Sequence, residues 1–249
     1  MRTPKYTSGD DFARPDINFN TDRRIIFFTG LGLPMRNQGE PFIRRFALLN
    51  HISYLALDFD AITADKTEKE NFGLETAFER AMDKISKLKE ERLILLGPCF
   101  GGLMAYRVAQ NFPQKVESMI ISSPLIDFEQ GALSQHIDGV LTKRDKKLRR
   151  LSLDKTLMER MVNFHKIVLA ASHKYGQIPI KSAYDGPIHI LHGENDRLVP
   201  VANSFTIQNS LNRPNINIQV VSQGKHNFDI SLNNKMKFSI AALKKQISR

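Results

Sequence analysis

The sequence predicts an α/β fold, a mainly parallel sheet flanked by helices, and three observations carry that expectation. Six short runs rich in apolar, β-branched or aromatic residues recur along the 249 residues, with helical apolar patterns between them. The third run breaks into glycines around Cys99, the chain's one cysteine. The last two runs end in loops that carry Asp196 and His226. A chain that alternates in this way covers both faces of its sheet with helices and places ligand chemistry at the carboxyl ends of the strands.

The runs span 24–29, 53–58, 92–96, 117–122, 187–191 and 216–221, and each ends in a turn signal. Between them, Phe42, Phe46 and Leu49 predict one apolar helix stripe, Phe78, Met82, Ile85 and Leu88 a second, and Leu103, Met104 and Val108 a third. Near the C-terminus Leu232, Met236, Ile240, Leu243 and Ile247 keep the spacings 4, 4, 3 and 4 of one helix face. Residues 1–22 contain Pro4, Gly9 and Pro15 with little periodicity, which predicts an extension made of loop or short edge strand.

Residues 126–185 interrupt the alternation with a long, charged, helical stretch. It reads as a cap inserted over a core formed by 22–125 and 186–249. Within it Met158, Met161 and Phe164 lie at helical spacing and are candidates to line a substrate pocket, with packing of cap on core as the plainer reading.

Composition narrows the function classes. With 41% hydrophobic residues the chain can bury a sizeable core. One cysteine rules out an intramolecular disulfide, so a reducing cytoplasm is the expected location, and the N-terminal residues lack the apolar segment of a signal peptide. No run is long and apolar enough to cross a bilayer. Lys and Arg number 36 against 26 Asp and Glu, a net charge of +10. The charge is dispersed except for Lys143, Arg144, Lys146, Lys147, Arg149 and Arg150, which read either as a solvated helix face or as a patch for an anionic acyl carrier. Tryptophan is absent and aromatics are 8%, which argues against a nucleic-acid partner. No cofactor or metal is expected.

Gly97-Pro98-Cys99-Phe100-Gly101-Gly102 follows an apolar strand and opens a helix. That is the form of a nucleophile elbow, with sulfur where a serine hydroxyl usually stands. The sharp turn demands small residues on either side, which Gly97 and Gly101 supply. The helix behind it aims its amides and positive dipole end at the sulfur and favours a thiolate. A buried, inert cysteine is the alternative reading.

A thiol nucleophile needs a base, and the base needs an orienting acid. After the fifth run comes His192-Gly193-Glu194-Asn195-Asp196-Arg197-Leu198-Val199-Pro200, and after the sixth Gly224-Lys225-His226-Asn227-Phe228. Asp196 competes with Glu194 for the acid role, and His226 with His192 for the base. His51, His136, His165, His173 and His189 read as packing or surface residues.

The elbow, acid loop and histidine loop together resemble the α/β-hydrolase superfamily over roughly residues 22–249. The resemblance implies an α/β-hydrolase fold with a Cys99, Asp196, His226 triad. Phe27-Phe28-Thr29-Gly30-Leu31-Gly32 is similar to the superfamily's His-Gly-type turn, with Thr29 in the histidine position. The amides of Leu31 and Phe100 would then form the oxyanion hole. The cysteine elbow and the order His226-Asn227-Phe228 are similar to dienelactone hydrolases, while the cap and strand order look equally like acyl-thioesterases and esterases. The resemblance therefore implies hydrolysis of a small or medium acyl ester or thioester through an acyl-cysteine. Two alternatives use the same residues differently: acyl transfer to another acceptor, and a non-catalytic binding module that kept the fold.

Overall fold

The computed structural model describes residues 5–6, 16–19, 21–31, 39–59, 74–127, 132–150, 166, 168–169, 182–226 and 232–247. Eight strands form one sheet: β1 (Lys5–Tyr6), β2 (Asp16–Asn18), β3 (Arg23–Phe28), β4 (Ser53–Leu57), β5 (Arg92–Pro98), β6 (Val116–Ser122), β7 (Ile188–Gly193) and β8 (Ile216–Val221). Their spatial order is β1-β2-β4-β3-β5-β6-β7-β8. From β4 to β8 every pairing is parallel, whereas β2 runs antiparallel to both β1 and β4. The α/β expectation holds, and the N-terminal extension supplies the two short edge strands.

Six helices are described: α1 (Glu40–Leu49), α2 (Leu74–Ser86), α3 (Phe100–Asn111), α4 (Ala132–Arg150), α5 (Ala202–Leu211) and α6 (Leu232–Ile247). Alternate side chains of the strands divide the core between the two sheet faces. Ile26 and Phe28 join Ala81 and Ile85 of α2, Leu103 to Ala109 of α3, Ile137 and Leu141 of α4 and Ile207 of α5. Ile25 and Phe27 join Ile43, Phe46 and Ala47 of α1 with Ala242 and Leu243 of α6. Strands buried on both faces explain why the sequence shows continuous apolar runs instead of alternation.

One helix faces differently from the expected stripe. Phe42 and Leu49 of α1 are 43% and 71% exposed, and the buried face is Ile43, Phe46 and Ala47. Both sets keep helical spacing; the side on which small Ala47 sits allows the helix to approach the sheet. α4 falls within the interval read as a cap, and its Leu133, Ile137 and Leu141 are buried while Lys143, Arg144, Lys146 and Lys147 are exposed. Among the described residues no helix is long and apolar enough to cross a membrane.

The order of strands matters for the site. From β3 the chain moves to β4 on one side and then to β5 on the other, through helices on opposite faces. This reversal falls at the carboxyl ends of β3 and β5, where open α/β sheets form the crevice that binds ligands.

Candidate active site

Cys99 stands between β5 and α3 with φ 50° and ψ −114°, a backbone conformation rare for a residue with a side chain. Several hydrogen bonds hold it there. Its amide donates to the Ser122 carbonyl at 2.8 Å, and its carbonyl accepts from the amides of Gly102 at 3.0 Å and Leu125 at 3.1 Å. The two glycines are needed for close approach: a Cβ on Gly97 would run into the Gly101 backbone, and one on Gly101 into the Phe28 carbonyl. The elbow is thus wedged against the end of β3, and its sulfur remains partly accessible. Holding a residue in such a conformation costs on the order of 1–3 kcal/mol, which the bonds around it offset.

Asp196 follows β7, and its carboxylate is fully buried. Its Oδ1 accepts the amides of Leu198 and Val199, both at 2.9 Å, so the side chain closes its own turn. Its Oδ2 accepts Nδ1–H of His226 at 2.8 Å. Burial raises the Asp196 pKa, but hydrogen bonds from His192 and His226 and the His226 charge outweigh it and hold the carboxyl well below the usual carboxylate range. It is an anion at neutral pH.

His226 follows β8 and is 16% exposed at its side chain. Nδ1 is taken by Asp196. Burial alone would lower its pKa; negative charge on Cys99 and hydrogen bonds to Asp196 and Cys99 reverse that and push it up to about 10. His226 thus meets Asp196 across the acid and histidine loops and feels Cys99 on the elbow.

The two rivals occupy other positions. His192 is fully buried; its Nε2–H donates to the Val199 carbonyl at 2.8 Å and lies 3.4 Å from Asp196 Oδ2, while Nδ1 accepts from the Ser204 hydroxyl at 2.6 Å. Both ring nitrogens are engaged in shaping the acid loop. Glu194 points to solvent and accepts from the Ser222 hydroxyl at 3.1 Å and the Gln223 amide at 2.9 Å. Together with the Asn195 amide on the Gly224 carbonyl at 2.7 Å, it ties the acid loop to the histidine loop.

Leu31 and Phe100, the expected oxyanion donors, lie on the two sides of the crevice, after β3 and at the first residue of α3. Met158, Met161 and Phe164 lie outside the described residues. His136, read as a packing or surface residue, is exposed and donates from Nε2 to the Arg197 carbonyl at 3.1 Å, joining α4 to the acid loop. Sequence reasoning had no signal for that bond or for Ser204, since both depend on loops meeting across the fold. No group of three or more His, Cys, Asp or Glu side chains that could hold a metal occurs among the described residues.

No protein-family model matches the sequence, and no curated protein matches it significantly. Solved structures do share its fold. It is similar to mouse alpha/beta hydrolase domain-containing protein 10, with 16% identity, 99% of each chain covered and a TM-score of 0.70. A Nitrososphaera gargenis structure reported in work on carboxylesterases aligns over 98% of this chain and 99% of its own, at 11% identity and a TM-score of 0.66. An esterase from Pyrococcus furiosus aligns over 94% of this chain and 84% of its own, at 18% identity and a TM-score of 0.62. The chain has the α/β-hydrolase fold.

Proposed function

We propose that this protein is an enzyme that hydrolyses ester or thioester bonds in small or medium acyl substrates through an acyl-Cys99 intermediate. The observation that carries the reading is the His226 imidazole, bonded through Nδ1 to buried Asp196 at 2.8 Å and interacting on its other side with Cys99. Fold neighbours described as esterases support ester chemistry as the class. A reducing cytoplasm suits the free thiol.

A thiol beside such a base can ionise before attack, which a serine hydroxyl cannot do near neutral pH. The Cys99 thiolate adds to the substrate carbonyl carbon, and the carbonyl electron pair moves to oxygen, where the amides of Leu31 and Phe100 receive it. Collapse expels the alkoxide or thiolate leaving group, which takes the proton from His226 Nε2. Water then adds to the acyl-cysteine thioester and gives a proton to Nε2. A second collapse releases the carboxylic acid and restores the thiolate beside the imidazolium. Asp196 keeps the ring in the tautomer and orientation that both steps require.

Intact-mass spectrometry after mixing with p-nitrophenyl butyrate tests this directly. Wild type should gain one butyryl group, and Cys99→Ala none. No adduct on wild type, or an equal adduct on Cys99→Ala, overturns the reading.

A second reading, acyl transfer from an anionic carrier, draws on the exposed Lys143, Arg144, Lys146 and Lys147 of α4 and on the His136 bond that joins this helix to the acid loop. Competition of alcohols, amines and thiols against water decides between them; free acid as the sole product removes transfer.

A further inference from the structure

The two oxyanion amides sit on different elements, so catalysis through them requires something to fix their separation. Leu31 follows β3, and Phe100 begins α3. Thr29 is fully buried two residues before Leu31; its amide donates to the Leu57 carbonyl at 3.0 Å, and its Oγ1 accepts the Phe59 amide at 2.8 Å. The same hydroxyl faces Asp58 Oδ1 at 3.4 Å. Phe59, 1% exposed, presents its ring edge-on to Phe100 with centroids 5.3 Å apart at 85°. Phe59 also stacks on Phe28 with centroids 6.4 Å apart at 16°. Gly101 closes the circuit from the other side, since a Cβ there would strike the Phe28 and Thr29 carbonyls.

We infer that Thr29 and Phe59 are positioning residues that hold the Leu31 and Phe100 amides at a single spacing, linking the loop after β3 to the start of α3 through the end of β4. The inference rests on the acyl-cysteine reading and adds to it the part of the molecule that sets the oxyanion hole. The Thr29 hydroxyl is taken up by Phe59 and Asp58, and Phe59 has no polar side-chain group to offer the reacting sulfur. Their effect should therefore appear only in a reaction that develops an oxyanion.

Two reactions of the same sulfur separate that effect from general damage. Acylation by p-nitrophenyl butyrate passes through a tetrahedral oxyanion, whereas alkylation by iodoacetamide expels iodide and builds none. Thr29→Val keeps the shape of the side chain and removes its hydroxyl; Phe59→Leu removes the ring contact. Each should slow acylation by about tenfold or more while alkylation stays near the wild-type rate, a loss smaller than the 10²–10³-fold of deleting a donor outright. Thr29→Ser keeps the hydroxyl and should restore acylation. If Thr29→Val does not fold, Phe59→Leu carries the test. Variants whose two rates fall together, or whose acylation is unchanged, overturn this inference alone. A wild type that is alkylated but never acylated overturns the acyl-cysteine reading and this inference with it.

Discussion

The two ends of the parallel strands are built to opposite specifications. At the amino ends, charge is paired and closed in. Arg24, 2% exposed at the start of β3, reaches Asp16 at 2.6 Å and Glu90 at 2.7 Å. Beside it Arg23 forks onto Glu117 at 2.9 and 3.0 Å, and Arg92 shares that carboxylate at 3.0 Å. At the carboxyl ends, Cys99 and Ser123 adopt φ of 50° and 42° directly after β5 and β6, and Gln223 a φ of 56° two residues after β8. The other described non-glycine residues with positive φ, His51 and Asn212, lie where helices α1 and α5 stop. One end holds the sheet together, and the other carries strained turns, among them the Cys99 elbow. Substitutions at the two ends should therefore fail in different ways.

The sharpest contrast is predicted for Asp196→Asn. The amide cannot replace the carboxylate as acceptor and charge for His226, so acylation of Cys99 should fall on the order of 10²–10⁴-fold. Stopped-flow release of p-nitrophenol measures it; a loss below about tenfold would remove Asp196 from the site. Arg24→Leu should do the converse. It leaves buried Glu90 without its partner, which costs about 3–5 kcal/mol. Urea denaturation should register that loss while the acylation rate per folded molecule is unchanged. A rate that falls with stability kept would dissolve the distinction between the two ends. The smallest effect belongs to Glu194→Gln, because that carboxylate is solvated and supports the histidine loop from outside. The acylation rate should change by less than about threefold, and a larger change would move Glu194 into the machinery.

How much of this was legible in the sequence follows from the range of each interaction. Strands β3 to β7 were legible because burial on both faces leaves an apolar run that needs no partner to be recognised, whereas the edge strand β8, mostly exposed, shows itself by its β-branched Ile216, Ile218, Val220 and Val221. The elbow was equally plain, since the constraints on Gly97, Cys99 and Gly101 act within five residues. Asp196 and His226 are candidates in the sequence by their places after β7 and β8, and the 2.8 Å bond that joins them spans thirty residues. The sequence of α1 alone does not decide which side is buried, because two helical stripes of similar composition compete and only contact with the sheet selects Ile43, Phe46 and Ala47. Arg24 opens the first apolar run, and nothing nearby in sequence announces its partner Glu90, sixty-six residues away. The Thr29, Phe59 and Phe100 contacts were illegible for the same reason: three segments far apart in sequence contribute one residue each.

The proposed mechanism needs His226 to stay charged beside Cys99, and the titration of the His226 ring measures whether it does. A histidine raised in the folded state contributes stability that is complete below its unfolded value near 6.5 and is lost as pH rises through about 10. Imidazole nitrogen and carbon shifts followed by NMR from pH 5 to pH 11 should show His226 charged well past neutrality in the wild type. In Cys99→Ala the largest influence raising it is gone, and its titration should return toward the ordinary histidine range. A His226 that titrates near 6.5 in the wild type and in Cys99→Ala alike would contradict the account.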